Sequence, residues 1–78
     1  MPRFYLHIRD GNSLIEDPDG SDLPDLAAAQ DEAIISAREI LAERLKHGEI
    51  LNGQCFEIVD ENGELRAVVP LKDAMRLS

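Results

Sequence analysis

Arg3-Phe4-Tyr5-Leu6-His7-Ile8-Arg9 decides how this chain reads. Phe4, Leu6 and Ile8 alternate with Arg3, Tyr5, His7 and Arg9, and successive side chains of an extended backbone point to opposite faces. Strict period two over this length predicts a half-buried strand, apolar on one side and basic or aromatic on the other. Such a strand needs a sheet beside it and an apolar layer beneath it. Downstream, Asp10-Gly11-Asn12 is a turn signal. Ser13-Leu14-Ile15-Glu16 then reads as a short second strand that closes a hairpin.

Asp17-Pro18-Asp19-Gly20-Ser21-Asp22 has loop chemistry, because Pro fixes φ, Gly permits positive φ and Asp bonds to nearby backbone. Asp25 is a good helix N-cap. The helix is expected from Leu26 to about His47. Ala27, Ala28, Ala29, Ala33, Ala37 and Ala42 give it a strong local preference. Leu26, Ala33, Ile34, Ala37, Ile40, Leu41 and Leu45 fall on one broad face at a period of 3.6. Arg44, Lys46 and His47 suit the negative end of the helix dipole, and Gly48 is the expected residue just past the end. Ile35 sits opposite the stripe.

Residues 49–54 form a connector. Cys55 to Asp60 reads as a third strand, Asp60-Glu61-Asn62-Gly63 as a hairpin turn, and Leu65 to Pro70 as a fourth strand. There, Leu65, Ala67 and Val69 are expected to face inward, opposite Arg66 and Val68. The tail from Leu71 reads as a single helical turn. The fold expected is α+β: a ββαββ order, a four-stranded antiparallel sheet and one long helix packed on one face, with residues 1–78 as a single small domain.

At 78 residues the chain has room for one modest core. Phe4 and Phe56 are its large pieces, and Leu, Ile, Val and Ala supply the rest. Ordering a residue costs about 1.5 kcal/mol, so a domain of this size is marginal and gains from self-association. Cys55 is the sole cysteine, which rules out an internal disulfide and fits a reducing, cytoplasmic setting. No signal-peptide pattern and no apolar run of ~20 residues is present, so no membrane is expected. A net charge of −8 disfavours general binding to nucleic acid or anionic membrane. It favours solubility and a basic partner.

Several residues invite chemistry. Asp17, Asp19 and Asp22 crowd one loop, but Gly20 follows the second Asp directly and Ala28 stands where a calcium loop needs Glu. A solvated turn with a helix cap is the simpler expectation, and no metal or cofactor is expected. His7 and His47 have no neighbours at metal-ligand spacing. A Cys55–His7 nucleophile pair requires the first and third strands to be neighbours and lacks an orienting third residue. No catalytic residues are assigned, and the chain is not expected to be an enzyme. The outer sheet face is the candidate interaction face: Arg3, Tyr5, His7, Arg9, Val59, Arg66 and Val68, with Cys55 beside them. Three uses compete for it. The arginines pair with Glu57 and other acids across strands; or the face is a homodimer interface; or it binds nucleic acid or another anion, with Tyr5 for stacking.

Met1 to Gly11, Asp22-Leu23-Pro24-Asp25-Leu26, Phe56 to Gly63 and Val69-Pro70-Leu71-Lys72-Asp73-Ala74 together resemble a family of small uncharacterised alphaproteobacterial proteins, grouped as a domain of unknown function. The resemblance implies a bacterial cytoplasmic origin and assigns no site. Leu23-Pro24-Asp25-Leu26, Glu32-Ala33 and Ala37-Arg38-Glu39 are also similar to the antitoxin subunits of bacterial toxin–antitoxin pairs. Those usually add a separate DNA-binding segment, and none is expected from residues 1–78. The function expected is a small non-catalytic protein-interaction module that self-associates or binds another protein. The alternative is a nucleic-acid or anion-binding sheet surface within an antitoxin-like pair.

Overall fold

Alternating apolar residues build the sheet. The computed structural model describes residues 2–46 and 53–75. In chain order the elements are β1 (Arg3–Asp10), β2 (Ser13–Ile15), β3 (Ser21–Asp22), α1 (Leu26–Lys46), β4 (Cys55–Asp60) and β5 (Leu65–Pro70), followed by a 3-10 turn (Leu71–Met75). All pairings are antiparallel, and the spatial order is β2-β1-β4-β5, with β3 also on β1.

The fold is α+β with one long helix on a sheet, as the pattern predicts, but the sheet has five strands rather than four. The additional strand is β3, which lies inside the stretch expected to be loop. Its two residues pair with Arg3 and Phe4. Two residues cannot show a period, so no alternation marks them.

The helix begins where Asp25 caps it. The Asp25 Oδ1 accepts the Ala28 N–H at 2.9 Å. Ala29, Ala33 and Ala37 are completely buried, and Leu41 continues their row. The spacing of four keeps these side chains on one ridge. Their small size lets the helix backbone lie close to Phe4, Leu6, Phe56 and Ile58, which rise from the inner face of β1 and β4. Ala29 belongs to the core although the hydrophobic stripe omits it. Ile35 is 51% exposed, as its place opposite the stripe implies. The expected helix stop at His47 and Gly48, and most of the connector, lie outside the described residues.

Leu71 locks the start of the 3-10 turn onto the core. It is 1% exposed, and its N–H bonds to the Gln54 carbonyl at 3.0 Å, which carries the β4–β5 ladder past Pro70. Burying a side chain of this kind contributes about 1.5–3 kcal/mol. Among the described residues, no helix is long and apolar enough to cross a membrane.

Candidate interaction face

The sheet covers its inner side with α1, and among the described residues no element covers its outer side. Register defines that outer side. Tyr5 stands opposite Val59, His7 opposite Glu57, and Arg9 opposite Cys55. Glu57 stands opposite Val68, and Cys55 opposite Pro70. The face thus brings together Arg3, Tyr5, His7, Arg9, Val59 and Val68 as the alternation implies. The β1 and β4 members are half-buried and Val68 is 50% exposed.

Arg66 departs from the expected row. The β4–β5 pairing slips at Ile58/Val59, where Val59 pairs with Leu65 rather than Arg66. Such a bulge sets two residues against one and breaks the alternation. Leu65, expected to face inward with Ala67 and Val69, is instead 56% exposed. Asp60 accounts for the slip. Its Oδ1 accepts the N–H groups of Asn62 at 2.9 Å and Glu64 at 3.0 Å, and the Glu64 carbonyl accepts the Asp60 N–H at 2.9 Å. Arg66 Nη1 reaches Asp60 Oδ2 at 3.3 Å. The buried carboxylate therefore closes the hairpin and holds Arg66. Glu64 and Asn62 N–H donation and the guanidinium hold its carboxyl below the usual range, against the opposing effect of burial.

The basic character of the face is neutralised pair by pair. Arg3 Nη2 sits 3.2 Å from Asp22 Oδ1, and Arg3 Nη1 also donates to the Asp19 carbonyl. Arg9 Nε donates to Glu57 Oε2 at 3.0 Å, a diagonal cross-strand pair that raises the pKa of Arg9. An exposed strip of cations available to phosphate is not what these pairs present. A shallow groove of about 330 Å³ runs over Tyr5, His7 and Val59, and its rim carries the acids Glu16, Asp17, Asp60 and Glu61. That surround favours a cationic group over an anion.

The acidic loop has a structural task. β2 covers residues 8–10 of β1 and β3 covers residues 3–4, leaving a gap at the edge between them. Asp17 fills it. Its Oδ2 accepts the Leu6 N–H at 3.2 Å, while its Oδ1 accepts those of Asp19 and Gly20 at 3.3 and 3.1 Å. Its own N–H donates to His7 Nδ1 at 3.0 Å, which places the ring proton of a neutral His7 on Nε2. His7 also stacks on Tyr5, with ring centroids 6.2 Å apart. The expected solvated turn is in fact a plug that satisfies a strand amide. Gly20, at φ +70°, passes so close to β1 that a Cβ would lie 2.9 Å from Tyr5 Cε1 and 3.0 Å from the Phe4 carbonyl.

The Cys55–His7 pairing meets its first condition, since β1 and β4 are neighbours and both side chains lie on the outer face. The chemistry needed does not follow. Burial, and then the charge of Glu57, push the Cys55 thiol pKa up, which disfavours the nucleophilic thiolate. His7 Nδ1 is occupied by Asp17. Among the described residues, no group of His, Cys, Asp and Glu is placed to hold a metal ion.

A second cleft, about 300 Å³, lies on the other side of the sheet, between α1 and the β1–β2 hairpin. Ile8, Ile15, Ile40 and Leu71 line it, with Asp10 and Glu39 beside them.

Leu14 and Leu65 are outer-face residues that sequence reasoning missed. Leu14 stands opposite Arg9, and Leu65 arrives there through the bulge. No periodicity signals either one, because β2 is three residues long and the bulge is set by Asp60.

The model of the family described as "Domain of unknown function (DUF6894)" matches residues 3–72, from the start of β1 into the closing 3-10 turn, and the chain belongs to that family. No curated protein and no solved structure matches the chain.

Proposed function

Proceeding from membership of that family, we propose that this domain is a non-catalytic protein-interaction module that self-associates through the outer sheet face beside β5. The observation that carries the reading is the placement of Leu65 and Val68. Both are at least half exposed, and both lie on β5, which ends the sheet among the described residues. Val59 and Pro70 extend the apolar surface inward. A small domain gains free energy by covering such groups, at about 25 cal/mol per Å² of apolar area. A bacterial cytoplasmic setting accords with the lone cysteine and the family resemblance.

The anion-binding alternative has weaker support. Arg3, Arg9 and Arg66 each hold an acid, and the groove over Tyr5 is rimmed by carboxylates.

Sedimentation velocity across a concentration series tests the reading. Wild type is expected to shift toward a dimer as concentration rises. A Leu65→Lys, Val68→Lys variant is expected to remain monomeric while keeping its circular dichroism spectrum. Wild type that stays monomeric throughout refutes self-association.

A further inference from the structure

The cleft between α1 and the β1–β2 hairpin is apolar inside and acidic at its rim. Ile8 packs against the core, and its cross-strand partner Ile15 shares the same face of the sheet. The helix does not cover both, for Ile8 is half-buried and Ile15 is 56% exposed. Ile40 from α1 and Leu71 from the 3-10 turn complete the apolar lining of a space of about 300 Å³. That is the lower limit of the ~300–1,000 Å³ that small-molecule sites occupy. It suits one or two aliphatic side chains better than a cofactor.

The acids on the two sides of the sheet are used differently. On the outer side, Asp17, Asp22, Glu57 and Asp60 are bonded to strand amides or to arginines. Asp10 and Glu39 stand on the two walls of the cleft, one at the end of β1 and one on α1, and both are exposed. Neither has an ion pair or a side-chain hydrogen bond with a described residue. Among the described residues that line the cleft there is no Lys or Arg. Two carboxylates beside an apolar surface repel each other, and a cation brought near both is attracted to both.

We propose that this cleft docks a basic segment of a partner protein. The segment inserts an aliphatic side chain among Ile8, Ile15, Ile40 and Leu71 and sets a flanking Lys or Arg against Asp10 and Glu39. Charge selects this occupant. A second copy of the chain, at −8, brings further acids to an acidic rim. A basic segment matches both parts of the cleft, because a long cationic side chain lays its methylenes on apolar surface and keeps its charge in water. The site shares no residue with the face proposed for self-association, so the two readings are tested separately.

Methyl NMR of the full chain, titrated with a capped hexapeptide that alternates leucine and arginine, tests the docking. The δ1 methyls of Ile8, Ile15 and Ile40 are expected to shift together and saturate with a Kd of about 1 mM or tighter. The matching leucine–glutamate and serine–arginine peptides each lack one half of the complement and are expected not to bind. Asp10→Asn with Glu39→Gln alters exposed side chains alone. It is expected to weaken binding about three- to tenfold, the range of exposed ion pairs, while the methyl spectrum of the free protein stays in place. No saturable shift with the leucine–arginine peptide overturns the docking. Equal binding of the leucine–glutamate peptide, or no loss in the double variant, overturns the choice of a basic partner. Saturation at Tyr5 and Val59 instead puts the basic segment in the outer groove and overturns this site. Isoleucine shifts that follow protein concentration without peptide give the cleft to a second copy, and equal affinity for hexylammonium ion gives it to a small amine; either overturns the protein partner.

Discussion

Replacing Gly20 by alanine is the most exacting test of the closed β1 edge. Gly20 has φ +70° and Gly63 has φ +83°, so an alanine at either position enters the left-handed region. That costs about 1–2 kcal/mol for a residue with a Cβ. The surroundings then separate the two sites. Around Gly63 a Cβ meets nothing within 4 Å. At Gly20 it meets Tyr5 Cε1 at 2.9 Å, Arg3 Cγ at 3.0 Å and the Phe4 carbonyl oxygen at 3.0 Å. The tyrosine ring and the arginine stem have room to adjust. The carbonyl does not, because Phe4 is paired on both sides, to Ser21 and to Asp60. Overpacking of this kind adds about 1–3 kcal/mol. Gly63→Ala is therefore expected to lose about 1–2 kcal/mol and Gly20→Ala about 2–5 kcal/mol. Urea denaturation followed by circular dichroism measures both, with the slope held constant as the check that the unfolded state is unchanged. For a domain of this size each kcal/mol lowers Tm by about 4–8 °C. Equal losses at the two glycines would show that the loop does not press on β1.

Three further outcomes follow from the same geometry. Asp17→Ala strips the acceptor from the Leu6 N–H, and a part-buried donor left alone costs about 1–3 kcal/mol; Leu6 amide exchange is expected to accelerate, and an unchanged rate refutes the plug. Asp60 has its folded-state pKa below the unfolded value of about 3.9, so its contribution is complete above that value and is lost as pH falls through the lower, folded-state pKa. Wild type should therefore lose urea resistance below about pH 4 more steeply than Asp60→Asn, and parallel pH profiles would remove Asp60 from the hairpin's support. Cys55, its pKa raised by burial, is expected to react with iodoacetamide at neutral pH more slowly than a free cysteine peptide; faster reaction would reopen a nucleophilic role.

Much of the fold is legible in the sequence because most of its elements carry a period. β1 alternates over Arg3 to Arg9, α1 repeats its small residues every four positions, and β4 sets Phe56 and Ile58 against Glu57 before Val59 and Asp60 invert the pattern. Asp25 and the turn at Gly63 punctuate them. The elements that escape notice are those with no repeat to display. β3 has two residues and exists because Arg3 and Phe4 offer it an edge, a tertiary cause that no local pattern records. The bulge in β5 has the same character. Leu65, Ala67 and Val69 alternate faultlessly in sequence, yet only Ala67 and Val69 turn inward. Asp60 captures the Glu64 backbone and shifts the pairing by one residue.

The candidate face shows how far residue types alone mislead. Arg3, Tyr5, His7 and Arg9 in a row suggest a basic strip with an aromatic platform. Whether the row is basic depends on what lies across it, and register decides that. Placing Glu57 between His7 and Val68 brings it within reach of Arg9, and placing Asp22 opposite Arg3 disposes of the second cation. The same acids that give the chain its charge are spent locally, on strand amides at Asp17 and on the hairpin at Asp60. With its ionic groups engaged in this way, the face has its apolar residues left to offer, and these concentrate at β5, where Leu65 and Val68 are both at least half exposed.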